Sequence, residues 1–108
     1  MSRVKIVVFV PPETTDKVRE ALGNAGTGQI GEYSFCSFSV AGQGRFKPSE
    51  NAHPYSGEKS VINVENEERI EVVCDRDMAK QAIAAMRHAH PYEEVAFDIY
   101  PLLDESEL

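Results

Sequence analysis

From position 3 to position 10 the chain is apolar almost without a break, with Val4, Ile6, Val7, Val8, Phe9 and Val10 interrupted only by Arg3 and Lys5. A β-branched run that does not alternate is the pattern of a central strand covered on both faces. Pro11 and Pro12 end it. Val18, Ala21, Leu22 and Ala25 then fall at i, i+3, i+4 and i+7, which predicts an amphipathic helix from about Glu13 to Gly26, with Lys17, Arg19, Glu20 and Asn24 on its wet side. Gly26-Thr27-Gly28 turns the chain toward a second strand, expected over Ile30 to Val40. Residues 41 to 57 show no period but contain Gly42, Gly44, Pro48, Pro54 and Gly57, and read as a long loop between strands 2 and 3.

A third strand is expected from Ser60 to Cys74, interrupted at Glu65-Asn66-Glu67-Glu68 by a solvated turn or bulge, with Ile70, Val72 and Cys74 sharing one face. Asp75 is placed to cap a second helix, in which Ala79, Ala82, Ile83 and Met86 repeat the helical stripe. That helix must stop near His88, because Pro91 follows. Val95 to Tyr100 alternates as a last strand, ended by Pro101. The order βαββαβ predicts one α+β domain over residues 1–108, a ferredoxin-like sandwich with both helices on one sheet face. Val7 and Phe9 point away from Ile6, Val8 and Val10, so the helix-free face should also be apolar and should drive self-association.

Composition narrows the function classes. A chain of 108 residues with 42% hydrophobic and 27% charged positions builds one core and is not disordered. Its formal net charge of −7 disfavours phosphate backbones and anionic lipid, so nucleic acid is not an expected partner. No stretch approaches the roughly 20 apolar residues of a membrane span, and the opening residues read as a strand rather than a signal. Cys36 and Cys74 lack Cys-x-x-Cys spacing and sit in strand-like runs without a neighbouring base, which suits packing in a reducing, cytoplasmic compartment.

Two segments hold candidate chemistry. Ala-His-Pro-Tyr occurs twice, at 52–55 and at 89–92, the second time followed by Glu93 and Glu94. His53, His88, His90, Glu93 and Glu94 combine imidazole with carboxylate, the ligand set for a divalent metal or for proton transfer. The local alternative is that Pro91 shapes a turn, Tyr92 packs, and His88 faces the negative end of a helix dipole. In the other segment, Gly42, Gly44, Arg45 and Lys47 place glycine amides beside two bases, which suits a small anionic ligand; the alternative is a flexible hairpin connection.

Cys36-Ser37-Phe38 with Gly42, Gly44, Phe46, Pro48, Pro54 and Gly57, then Arg69-Ile70-Glu71 and His90-Pro91-Tyr92-Glu93-Glu94, resembles the YqfO-type domain over nearly the whole chain. That domain is found inserted in dinuclear-metal hexameric proteins of the type-two GTP cyclohydrolase-like family, and also as a stand-alone short form. The resemblance implies a CutA/PII-like fold and commonly a homotrimer. The two-metal site of the larger proteins belongs to their flanking domains, so their hydrolase label does not carry over.

The resulting expectation is a non-enzymatic, homo-oligomeric binding or regulatory module, with its ligand near Gly42 to Gly57 and His88 to Glu94, Tyr92 included. A small-molecule enzyme using the His/Glu cluster and a docking subunit of a larger metalloprotein are the alternatives. The charge argument has a direct check: DNA and RNA should produce no salt-dependent mobility shift of the protein at physiological ionic strength.

Overall fold

The structure is a computed structural model, and it describes residues 2–108. Strand β1 (Arg3–Val10) is followed by α1 (Thr15–Asn24), β2 (Phe38–Phe46), β3 (Asn63–Asp75), α2 (Ala79–Ala89) and β4 (Phe97–Leu102). The sheet order is β2-β3-β1-β4, and every neighbouring pair is antiparallel. This is the expected ferredoxin-like βαββαβ arrangement.

The core follows from the alternation of β1. Val4, Ile6, Val8 and Val10 meet Ile70, Val72 and Cys74 on one sheet face, and Val18 and Leu22 of α1 with Ala82, Ile83 and Met86 of α2 close over them. Burying a side chain such as Leu22 or Met86 stabilises by about 1.5–3 kcal/mol. The helix α1 ends where Gly26 adopts φ 98°, and Thr27 then donates from both its amide and its hydroxyl to the Leu22 carbonyl.

The helix-free face differs from the expected apolar surface. Val7 is fully buried there, beneath a charged cross-strand bridge in which Glu71 accepts from Lys5 at 3.1 Å and from Arg69 at 3.0 Å. Lys5 first, and then Arg69, hold the Glu71 carboxyl below its ordinary pKa. The Arg69 guanidinium also lies 5.8 Å from the centre of the Phe9 ring. Apolar side chains remain at the margins of this face, with Phe38, Val40 and Tyr100 exposed.

Three boundaries are corrected. The second strand is Phe38–Phe46, because Gly26, Gly28 and Gly31 all take positive φ and residues 26–37 form an irregular connection that holds only the isolated bridge Ile30–Tyr33. Glu65 to Glu68 do not interrupt β3: they pair in unbroken register with Gly44 to Ala41, and beyond Glu68, the last residue paired with β1, β2 and β3 run on as a two-stranded ribbon. The hydrophobic core does not extend under that ribbon, so the acids Glu65, Glu67 and Glu68 are tolerated, and the loop shrinks to 47–62. Pro101 lies inside β4, at the sheet edge where a missing N–H is harmless. Asp75 ends β3 and makes no side-chain cap; its carboxylate lies 3.8 Å from Arg3. Cys36 is half-buried, Cys74 is in the core, and both are free thiols.

Two glycines separate backbone need from tolerance. Gly28 sits at φ 80° with the Cys36 backbone against the position of a Cβ, whereas Gly42 faces open space at an ordinary strand φ. Gly28→Ala should cost about 2 kcal/mol or more, and Gly42→Ala less than about 0.5 kcal/mol in either direction, measured by urea unfolding.

Candidate functional site

The site exists because β1 stops at Val10 while β3 runs on beside β2. The segment between α2 and β4 hangs on the freed end. His90 Nε2 donates to the Phe9 carbonyl at 2.7 Å, and the Phe9 amide donates to Ala96 O at 3.2 Å. His90 Nδ1 accepts the Tyr92 amide at 3.1 Å, which assigns the proton to Nε2 and makes the ring neutral. The residue is 7% exposed, and this burial pushes its pKa below the ordinary value, outweighing the Phe9 carbonyl and Glu67, which favour the charged form.

Tyr92 is thereby aimed at the ribbon. Its ring centre lies 4.8 Å from that of His90, and its hydroxyl donates to Glu67 Oε2 at 3.0 Å. Burial, then the Glu67 carboxylate, push the phenol pKa well up, so the hydroxyl stays a donor. Gly44 makes room for this contact: a Cβ there would collide with the Glu67 carboxylate. The second tyrosine comes from the 47–62 loop. The Tyr55 ring lies 5.8 Å from Tyr92, and its hydroxyl donates to Glu13 at 3.2 Å. The two copies of Ala-His-Pro-Tyr, distant in the chain, therefore meet.

Between ribbon, loop and the 91–96 segment lies a cleft of about 620 Å³. Phe9, Val40, Phe46, Pro54 and the two tyrosines supply an apolar and aromatic lining, while Glu67, Glu93, Glu94, Arg45, Lys47 and Arg69 supply charge of both signs. Such a mixture, mostly apolar with a few polar groups, is the chemistry of a small-molecule site.

Among the residues singled out in the sequence, Gly42, Gly44, Arg45, Lys47, Tyr92, Glu93 and Glu94 all line this cleft. Gly42 and Gly44 lie in extended β2 with no positive φ, so their amides run along a strand and do not curl into a concave nest. The histidines do not converge. His88 is exposed on α2; His53 is exposed in the loop, where its backbone N–H donates to Glu93 Oε1 at 2.9 Å; and both ring nitrogens of His90 are already engaged. Among the described residues no group of three or more His, Cys, Asp or Glu side chains is placed to hold a metal ion. Sequence reasoning passed over Phe9, Val40, Phe46, Tyr55 and Glu67. The repeated tetrapeptide was the one available pointer to Tyr55.

A four-stranded antiparallel sheet with two helices on one face and an extended β2–β3 ribbon defines a protein of the CutA and PII fold. The Archaeoglobus fulgidus protein described as the periplasmic divalent cation tolerance protein CutA superposes with TM-score 0.69 at 11% identity, over 94% of this chain and 85% of that one. Bacillus subtilis GlnK gives 0.59 at 19% identity, over 94% and 86%. Sequence relatives are more specific. The chain is 47% identical over 106 residues to the GTP cyclohydrolase 1 type 2 homolog of Halalkalibacterium halodurans, covering 98% of this chain and 28% of that protein. A Bacillus cereus protein related to NIF3 superposes with TM-score 0.85 at 44% identity, over 95% of this chain and 26% of that one. The chain is thus homologous to part of the GTP cyclohydrolase 1 type 2 homologs, and it spans about a quarter of their length. No family model matches it.

The buried neutral His90 makes stability depend on pH. Its folded pKa is depressed, so the unfolded chain binds the extra proton first, and the stabilisation present above the ordinary value of 6.5 is lost as pH falls through the folded value. Urea midpoints should therefore decline between pH 7 and pH 5. His90→Ala should remove much of that decline and cost about 2 kcal/mol at pH 7.5, since the Phe9 carbonyl and the Tyr92 amide both lose a partner.

Proposed function

We propose that this domain is a self-associating binding module that takes a small molecule in the cleft between the β2–β3 ribbon, the 47–62 loop and the 91–96 segment. The observation that carries the reading is the convergence of those three segments around an aromatic lining with fixed polar groups, in which Tyr92 and Glu67 are held by their mutual hydrogen bond. Those polar groups are positioned for recognition. Tyr92 is kept protonated by burial, and Glu67 is fixed in place by a donor rather than free to abstract a proton. The bases Arg45 and Lys47 at the β2 side and the acids Glu93 and Glu94 opposite suit a ligand with an apolar body and polar ends.

Self-association is supported by the exposed side chains. Phe38, Val40, Val64 and Tyr100 lie outside the core on a ribbon and a sheet that one chain leaves uncovered. A trimer is the assembly proposed, in keeping with the CutA and PII fold. Among the described residues no helix is long and apolar enough to cross a membrane.

A divalent metal is a second reading, favoured by one contact: the backbone N–H of the exposed His53 donates to Glu93, which sets this residue beside the Glu93-Glu94 segment without gathering its imidazole and the carboxylates into a ligand set. The CutA relative's description as a divalent cation tolerance protein adds to it. Native mass spectrometry of untreated protein tests these readings together. The expected spectrum shows three times the 12.0 kDa subunit with a bound organic mass that Tyr92→Ala and Phe46→Ala abolish. One metal mass per subunit, lost in His53→Ala, would favour the second reading. A bare 12.0 kDa species at micromolar concentration would overturn the first.

A further inference from the structure

We propose that residues 49–59 form a preassembled strap across the cleft, clasped by three hydrogen bonds to the body, and that releasing this clasp controls entry to the site. The inference rests on the cleft being a binding site and adds how access to it is regulated.

The strap carries its own structure. Its neck is closed where the Ser60 amide donates to the Pro48 carbonyl, and the Ala52 amide donates to Ser49 O at 3.1 Å. On the return limb the Asn63 side chain accepts the Glu58 amide at 2.9 Å and donates to Glu58 O at 2.8 Å and Val61 O at 3.0 Å. Glu50 takes the Ser60 hydroxyl, and its carbonyl accepts Lys59 Nζ. These bonds tie the segment to itself, with positive φ at Gly57 and Ser60 shaping the return. A loop whose ends are pinned together and whose interior is self-bonded moves as a unit.

Its attachment to the rest of the molecule is of another kind. The His53 amide donates to Glu93 at 2.9 Å, the Tyr55 hydroxyl to Glu13 at 3.2 Å and the Ser56 hydroxyl to Glu65 at 2.9 Å. The three acceptors are carboxylates on three separate parts of the fold: the 91–96 segment, the turn before α1, and the ribbon. Two of the bonds are solvent-exposed, so water replaces them on opening at little cost. The Tyr55 ring adds a tilted contact with Tyr92, itself a wall of the cleft. Ala52, Pro54, Tyr55 and Ser56 all line the cavity, so displacing the strap removes one of its sides. A ligand that takes the place of Tyr55 against Tyr92 would compete with the clasp directly.

The test pairs amide hydrogen exchange with uptake of Nile red, a neutral apolar dye, in the full chain. The clasp is loosened by combining Tyr55→Phe with Ser56→Ala, which removes two of its three bonds and leaves the His53 acceptor Glu93 in place, and more weakly by Glu13→Ala, which removes the Tyr55 bond alone. Exchange of the His53 amide, which the clasp holds on Glu93, should accelerate about fivefold or more in the double variant and less in Glu13→Ala, while β1 and α2 amides keep wild-type rates. Dye association should speed up in the same order. Unchanged exchange of the His53 amide in both variants would overturn the strap. Faster exchange with unchanged dye association would overturn its control of entry and leave the cleft as the binding site. No dye uptake by any of the proteins would overturn the binding reading and the control of entry with it, the exchange rates still deciding whether the clasp exists.

Discussion

The geometry of this domain depends on one buried hydrogen bond, from His90 to the carbonyl of Phe9, made where the central strand runs out. β1 is covered on both sides for most of its length, and Pro11 removes the possibility of continuing the ladder. The polar backbone at that end needs partners, and the segment after α2 supplies them from the His90 ring and the Ala96 carbonyl. Because the imidazole is used at both nitrogens, its orientation also sets that of Tyr92. From Tyr92 the order propagates to Glu67, and across the aromatic contact to Tyr55. A single side chain near the end of a helix thus joins the well-packed half of the molecule to the half that carries the cleft.

The helix-packed half was legible from the chain because burial writes a period into sequence. The unbroken apolar run at Val4 to Val10 and the two i, i+3, i+4, i+7 stripes located β1, α1 and α2 to within a residue or two at most ends. β2 was misplaced for the converse reason. Gly42, Gln43, Gly44 and Arg45 have low strand propensity and face no core, so nothing in their own pattern distinguishes a ribbon from a loop. The same absence made Glu65 to Glu68 look like a break, although a ladder beyond the helix-packed core accepts carboxylates that meet hydroxyl donors such as Ser56 and Tyr92.

The cleft was legible in outline and not in detail. Tyr92, Glu93, Glu94, Gly42, Gly44, Arg45 and Lys47 were picked out and do line it. What escaped was its apolar half, since Phe9, Val40 and Phe46 read as ordinary strand residues until the pairing register sets them beside Glu67 and Arg69. The histidines misdirected attention in the opposite sense. Three imidazoles near carboxylates suggest a shared task, but one is a helix-surface residue, one lends its backbone, and one is an internal strut. Residue type alone does not report which nitrogen is free.

The protruding ribbon gives the domain a length of 48 Å against 27 and 23 Å in its other dimensions, and it stands outside the interior formed by β1, α1 and α2. Most of the β2 wall of the cleft is therefore made of positions that contribute little to folding. Substitutions at Val40, Gln43, Arg45 or Lys47 alter the lining of the cleft while the packed valines beneath α1 and α2 are untouched. A scaffold divided this way can change the chemistry of its cleft by drift along one hairpin, with the fold itself under separate constraint, which suits a chain that is related in sequence to a part of much longer proteins.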